Sequence, residues 1–426
     1  MDKEKKQLLI QISLLLITIL TTTIAGAEWM FSKFLFWVDE ESLMTWDHFI
    51  AGFQFSIPFL LILTFHEFGH YFTARYHDIK VTLPYYIPMW LGFLLTPSFG
   101  TMGAFIRIKE HIYSLKHYFD VGISGPIAGF IIALGVIWYG YSHLPEPEQI
   151  FEIHPEYEQF GLDYADHVYS YEFSRLQDSL RYAEFRATDS IASINDSTSE
   201  WSGYPAFEAS DSYPNMYFGK PILFTLAEYL LVDENDQHKI PNDQEIMHNP
   251  YLLAGLLALF FTALNLLPIG QLDGGHILFG LIGEKRHFEV SRVLFSVFVF
   301  YAGLGLVSIR DLPDIGFGST LEFLFVILIY LYFLYVCAYS LFESKTNRMT
   351  FAAAIFASQF LVNFFFGYQG YSGWLLFAFI LGRVLGVKHP PVLDNRPLSV
   401  ERKVLGWVAF VIFILCFTPE PLVIEY

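Results

Sequence analysis

The chain is short of charge. Of its 426 residues only 16% are Asp, Glu, Lys or Arg, against about 25% in an average soluble domain. Hydrophobic residues make up 54% and aromatic ones 19%, and the mean hydropathy is +0.41. A soluble protein of this composition would need oily surfaces; a polytopic membrane protein would not. Basic residues are scarcest, 25 Lys and Arg against 43 Asp and Glu. No basic stripe exists to neutralise phosphates, which excludes nucleic acid as a partner. Cysteine is nearly absent. Cys337 and Cys416 lie in apolar runs, far from any CxxC spacing, so they read as buried or lipid-facing thiols rather than as a disulfide or metal site.

What the chain has instead is apolar runs of near-spanning length. They fall at Gln7–Ala27, His48–Phe65, Phe119–Tyr141, Tyr251–Leu267, Val290–Val307, Leu321–Leu341, Thr350–Phe366, Tyr371–Leu385 and Val404–Phe417. The eighth is short enough to be a half-span. A further apolar stretch, Tyr85–Phe99, is bounded and broken by Pro84, Pro88 and Pro97, and reads as a re-entrant or interfacial piece. The expected fold is therefore an all-α polytopic membrane protein of about nine transmembrane helices, with a short re-entrant or β-hairpin element and one large insert.

Charge placement orients it. Lys3, Lys5 and Lys6 precede the first span; Arg75, Lys80, Arg107, Lys109 and Lys116 follow the second; Lys285 and Arg286 follow the fourth. Lys345 and Arg348 follow the sixth, and Arg383, Lys388, Arg402 and Lys403 border the eighth and ninth. Each group falls where alternation requires the cytoplasm. The N-terminus is then inside, and the C-terminus and the loop RDLPDIGFGST outside. The start also resembles a signal peptide, with Ala25-Gly26-Ala27 as a cleavage site, but its apolar region is long for that role. From Glu146 to His248 the chain carries 21 acidic and five basic residues, −16 of the formal net charge of −18. This insert, about 145–249, falls on the extracytoplasmic side and reads as a solvated cap. Its DSTSEWSGYPAF stretch reads as loop, and no PDZ-like GLGF signature is present. The expected division is 1–47 (first span and external segment), 48–144 (first part of the core), 145–249 (insert), 250–288 (second part of the core) and 289–426 (C-terminal spans).

One motif does not belong in an oily segment. LLILTFHEFGHYFTARYH, Leu60–His77, places HEFGH at the cytoplasmic end of the second span, where ionisable groups are costly without a function. His66 and His70 are four apart, so on a helix they share a face and can grip one metal ion. Glu67 stands next to a ligand, where a carboxylate can take a proton from metal-bound water. A catalytic zinc takes three protein ligands plus water. LFFTALNLLPIGQLDGGHILFG supplies a third: Asp273 is the sole acid between Tyr251 and Gly283, behind a span that Pro268 ends. Asp273 can equally cap the next helix. Local sequence leaves both readings open, and HEFGH at matching depth favours the ligand. His276 reads as structural.

HEFGH on an early span with Asn265-Leu266-Leu267-Pro268 and Leu272-Asp273-Gly274-Gly275 on a later one resembles the site-2 proteases, intramembrane zinc metalloproteases of peptidase family M50. GTMGAFIRIK and DVGISGPIAGF, at 100–109 and 120–130, add to the resemblance. It is strongest toward the Glu-Gly-Tyr-type plastid members and their bacterial relatives. The resemblance implies one Zn2+ per chain held by His66, His70 and Asp273, Glu67 as the catalytic base, and Asn265 making polar contacts near substrate. It implies hydrolysis of single-pass transmembrane proteins or peptides within the lipid bilayer. Many members carry a PDZ domain where this chain has its insert. The short polar N-terminus leaves no room for a plastid transit peptide, which points to a bacterial plasma membrane.

The glycines and β-branched residues of GTMGAFIRI suit a hairpin whose edge can pair with an extended substrate, or else a turn between helices. Gly122, Gly125, Pro126 and Gly129 suit close helix packing. GVKHPPVLDNRP, with His389 and Asp394, reads as a solvated cytoplasmic turn. Two other functions compete. A metal transporter would need charges at midplane on several spans, and the late spans have almost none. A catalytically inactive scaffold would not need every catalytic position filled.

Overall fold

The computed structural model describes residues 3–36, 42–94, 98–195, 210, 213, 215–308 and 317–425. Pro97, the DSTSEWSGYPAF stretch and most of the RDLPDIGFGST loop lie outside the described residues. The protein is mostly helical. Helix α1 is Lys3–Phe31, α2 Phe53–Tyr76, α3 Leu115–Ser142, α4 Tyr171–Asn195, α5 Ile222–Leu231 and α6 Pro250–Leu266. Then come α7, Asp273–Ile282, α8, Glu284–Ala302, α9, Phe317–Cys337, α10, Lys345–Phe366, α11, Trp374–Phe379, and α12, Val400–Cys416. A π-helical turn, Ile380–Leu385, extends α11.

Five helices among the described residues are long and apolar enough to cross a membrane: Lys3–Phe31, Trp46–Tyr76, Leu115–Ser142, Thr320–Ser340 and Lys345–Phe366. The other four expected spans are helices as well, but shorter or more polar. Helix α6 has 17 residues, about 25 Å at 1.5 Å per residue, against a hydrocarbon thickness of about 30 Å. The second span runs through HEFGH to Tyr76 rather than ending at Phe65. His66, Glu67, His70 and Ala74 are buried there, so hydropathy alone closes it too early.

Helices α2 and α3 are antiparallel and form the centre of the molecule. Their contact is made of small residues. A Cβ on Gly69 would lie 2.5 Å from the Ser124 carbonyl oxygen, and one on Gly129 would lie 3.1 Å from the His66 Cβ. Small residues let backbones approach this closely, and in lipid that packing is what holds helices together. Helix α1 joins through its own small face, where Thr22 Oγ1 and Ser56 Oγ are 2.6 Å apart. Helix α6 packs along both α2 and α3, with Leu252 against Gly140 and Phe261 against Phe59.

Two apolar cores result. One joins α2, α3, α6, α7 and α12; the other joins α8 to α11. Buried polar ties secure the second: the Tyr330 hydroxyl donates to Gln359 Oε1 at 3.0 Å, and Gln359 Nε2 donates to the Val299 and Phe300 carbonyls at 3.1 and 2.9 Å.

Strands are few. Strand β1, Tyr85–Pro88, pairs antiparallel with β2, Thr101–Phe105, with an irregularity between Tyr86 and Pro88. One strand lies in GTMGAFIRI, where a hairpin was expected, but its partner comes from the Tyr85–Phe99 stretch read as a re-entrant or interfacial piece. Strand β3, Asn215–Phe218, pairs antiparallel with β4, Leu422–Glu425. That pairing ties the acidic insert to the end of the chain, and nothing local in either segment announces it. The insert is more than a loop: α4, α5 and β3 lie within it.

The segment at 386–397 is a correction to the solvated turn expected there. His389 is 2% exposed and stacks on Phe279 with ring centroids 3.7 Å apart. The Asp394 carbonyl accepts from Leu115 N at the start of α3. Burial against α7 and α3 overrides the turn-like composition.

Candidate metal centre

HEFGH occupies the sixth turn onward of the apolar Trp46–Tyr76 span. The helical repeat puts His66 and His70 on one face, and both are buried, as is Glu67. Pro268 ends α6, and five residues later Asp273 opens α7. The turn between them is tight. Gly270 sits at φ +62°, a Cβ on Gly274 would lie 2.0 Å from the Leu266 carbonyl oxygen, and one on Gly275 2.3 Å from that of Gly270. Only glycine fits there, and the turn delivers Asp273 to α2 across about 200 residues of sequence.

Three donor atoms converge. His66 Nε2 and His70 Nε2 are 3.1 Å apart, and Asp273 Oδ2 lies 3.4 Å from the first and 3.3 Å from the second. A tetrahedral zinc with N and O ligands at 2.0–2.2 Å spaces its ligand atoms by roughly 3.3–3.4 Å. Helix capping alone would not turn Asp273 toward two imidazoles. The donor set fits one divalent cation. The orientation of His70 fits as well: its Nδ1 donates to the Val121 carbonyl at 2.7 Å, leaving Nε2 as the lone pair facing the other donors.

Helix α3 makes the cradle. A Cβ on Gly125 would lie 2.1 Å from His70 Nε2. Gly125 and Gly129 are four apart and back histidines that are four apart. The sequence reading assigned these glycines to packing; the matched spacing was the signal that ties them to the site. Gly122 does the same for His276, whose Cβ lies 2.7 Å from where a Gly122 Cβ would be. His276 Nδ1 is 2.8 Å from His389 Nε2, so His276 points into a histidine pair and away from the three donors. Asn265 places its Nδ2 3.4 Å from His66 Nε2.

The hairpin closes the other side. Tyr86 on β1 and Thr64 on α2 share a hydrogen bond of 2.7 Å. Sequence reasoning did not foresee the Thr64–Tyr86 contact. At the helix end beyond the site, Asp120 takes the His77 Nε2 at 2.9 Å and the Arg402 guanidinium on both oxygens at 2.7 and 3.0 Å. His70 and His66 lie about 10 and 16 Å from that polar end along α2, counting 1.5 Å per residue.

Fold and site together define a helical membrane protein with an HExxH donor pair completed by a distant aspartate, buried within its spans. Residues 54–307 match the model of peptidase family M50, and the chain belongs to that family. It is similar to the probable zinc metalloprotease EGY1, chloroplastic, of Oryza sativa subsp. japonica, at 22% identity over 58% of this chain and 30% of that protein. The Arabidopsis thaliana EGY1 is 23% identical over 55% of this chain and 30% of its own length, and the Arabidopsis EGY2 24% over 53% and 28%. The chain thus spans about three-tenths of the length of these relatives. No solved structure gives a significant match.

Proposed function

We propose that this protein is an intramembrane zinc metalloendopeptidase that hydrolyses peptide bonds of membrane-spanning substrates within the bilayer. The convergence of His66, His70 and Asp273 at 3.1–3.4 Å carries the reading. These three residues hold one Zn2+. When bound, the ion supplies Lewis acidity and brings the pKa of its water to about 7. Glu67, adjacent to the donors and buried, accepts the proton of the attacking water and passes it to the leaving amine. Asn265, within reach of His66, contributes polar contacts to substrate.

A transmembrane helix has its carbonyls internally paired, so it must be extended before attack. The free edge of the β1–β2 hairpin is suited to receive such a segment, adding it as a third strand beside Glu67. Substrates of this kind are single-pass membrane proteins or peptides. The remaining architecture follows the same reading: about nine spans, the N-terminus cytoplasmic, and the insert and C-terminus extracytoplasmic. The domains divide at 47, 144, 249 and 288, and the membrane is a bacterial plasma membrane. The five long apolar helices support a polytopic membrane protein.

Cleavage of a model transmembrane substrate by detergent-purified protein tests the proposal. Glu67→Gln is expected to keep its zinc and lose activity. Undiminished cleavage by that variant removes Glu67 as the base; a folded wild type that binds zinc and cleaves nothing favours the inactive scaffold.

A further inference from the structure

The described residues bring one other set of metal-type donors together, far from HEFGH: His154, Glu245 and His248. His154 lies early in the insert. Glu245 and His248 lie on the last turn before α6. His248 Nε2 is 3.0 Å from Glu245 Oε2 and 3.3 Å from His154 Nε2, and all three donor atoms lie within 4.8 Å of one another.

The outer nitrogens decide what this contact is. His248 Nδ1 is 2.7 Å from the Met30 carbonyl. A carbonyl only accepts, so that nitrogen carries the proton. His154 Nδ1 is 3.3 Å from Glu156 Oε1, which again accepts. With both Nδ1 atoms protonated, the neutral rings turn their Nε2 lone pairs toward each other and toward a carboxylate. Glu245 has its other oxygen engaged by the Tyr169 hydroxyl at 2.5 Å. Three acceptors therefore face one point with no donor among them. Such an arrangement requires a cation at that point, a metal ion or a shared proton.

Spacing and surroundings favour the metal. Two of the three separations, 3.0 and 3.3 Å, are close to the roughly 3.3 Å of a tetrahedral zinc, and the third, His154 to Glu245, is longer but within 4.8 Å. Carbonyl and carboxylate partners on the far ring nitrogens are what orient metal-binding imidazoles, and the HEFGH site uses the same device at His70. The side chains of Glu245 and His248 are each only 5% exposed. A cavity of about 620 Å³, lined in part by Glu245, His248, His48 and Glu146, adjoins the set and can supply water as a fourth ligand. Two imidazoles and one carboxylate suit zinc better than calcium or magnesium.

We propose that His154, Glu245 and His248 form a second zinc-type metal site, which fastens the insert to the membrane core. The ion joins the start of the insert to the turn that leads into α6, and His248 carries the link on to Met30 near the end of α1. The site is independent of the HEFGH reading, and either can fail alone.

Zinc is counted on the full chain, purified in detergent, saturated with zinc and desalted. The wild type is expected to hold about two ions per chain, one per three-ligand site. His66→Ala/His70→Ala and His154→Ala/His248→Ala are each expected to hold about one. With Co2+ in place of zinc, the His66→Ala/His70→Ala protein is expected to show visible d–d absorption that Glu245→Gln added to it abolishes. A folded His66→Ala/His70→Ala variant that holds no metal overturns the proposal and leaves the shared proton as the cation. So does a His154→Ala/His248→Ala variant with the wild-type count. Should the latter not fold, the count on the HEFGH variant decides by itself.

Discussion

Gly125→Ala is the sharpest probe of the cradle behind His70. An alanine Cβ there would lie 2.1 Å from Nε2, 2.4 Å from Cε1 and 2.5 Å from Cδ2 of that ring. Ordinary contact begins near 3.4 Å, so the ring must retreat by about 1.3 Å. Metal–ligand distances tolerate about 0.2 Å, and a ring that moves this far also leaves the Val121 carbonyl that sets its tautomer. Zinc affinity at this site should fall by about 100-fold or more, a loss at the upper end of what removing an orienting partner costs. The helix itself would gain, because alanine is favoured over glycine in a helix interior by about 1 kcal/mol. Gly135→Ala supplies the matched control. It lies on the same helix with nothing within 4 Å of its Cβ, so the same chemical change should leave zinc and activity untouched. Competition against a chelator of known affinity, with thermal unfolding and cleavage measured in parallel, reads all three effects. Wild-type zinc affinity and cleavage in Gly125→Ala would refute the placement of His70 against α3.

Further outcomes follow from contacts away from the site. Gln359→Leu removes the acceptor of Tyr330 and the donor to two carbonyls of α8; interhelical hydrogen bonds in lipid are worth about 0.6–2 kcal/mol, so a lower melting temperature with unchanged zinc content is expected. Asp120→Asn weakens a bidentate pair with Arg402 and a bond to His77. Hydrogen bonds to charged groups contribute about 1.5–3 kcal/mol, so stability should drop. Arg402→Lys should fail to substitute for the guanidinium, because an ammonium cannot make the fork; its thermal unfolding should resemble that of Asp120→Asn. Equal stability of all three would show the pair to be solvent-screened.

The candidate site residues were legible because the candidate metal centre is built from local patterns. The i, i+4 spacing of HEFGH puts two imidazoles on one face wherever a helix forms. Asp273 stood out as the lone acid in an apolar region, flanked by a helix-ending proline and two glycines. One strand of the hairpin was legible from the glycines and β-branched residues of GTMGAFIRI, and its partner, Tyr85–Pro88, was not. Less legible was where spans end. Phe65 looked like a boundary because hydropathy counts the polarity of HEFGH and not its burial against α3 and α7. Loop 386–397 looked solvated because its prolines and charges are those of a turn, yet His389 packs flat on Phe279.

The sequence by itself determined the membrane class, the paired histidines, the candidate base and a candidate for the third donor. Each rests on composition or on a spacing of a few residues, which the helical repeat and the absence of other acids convert into geometry. Only the tertiary structure decided that Asp273 turns toward both rings and that Gly125 backs His70. It alone decided that Tyr86 meets Thr64, that β3 pairs with β4, and that His154 faces Glu245 and His248. These contacts join segments up to about 200 residues apart. Their partners are chosen by close packing of small residues and by satisfying buried polar groups in lipid, and neither leaves a periodic trace in the chain.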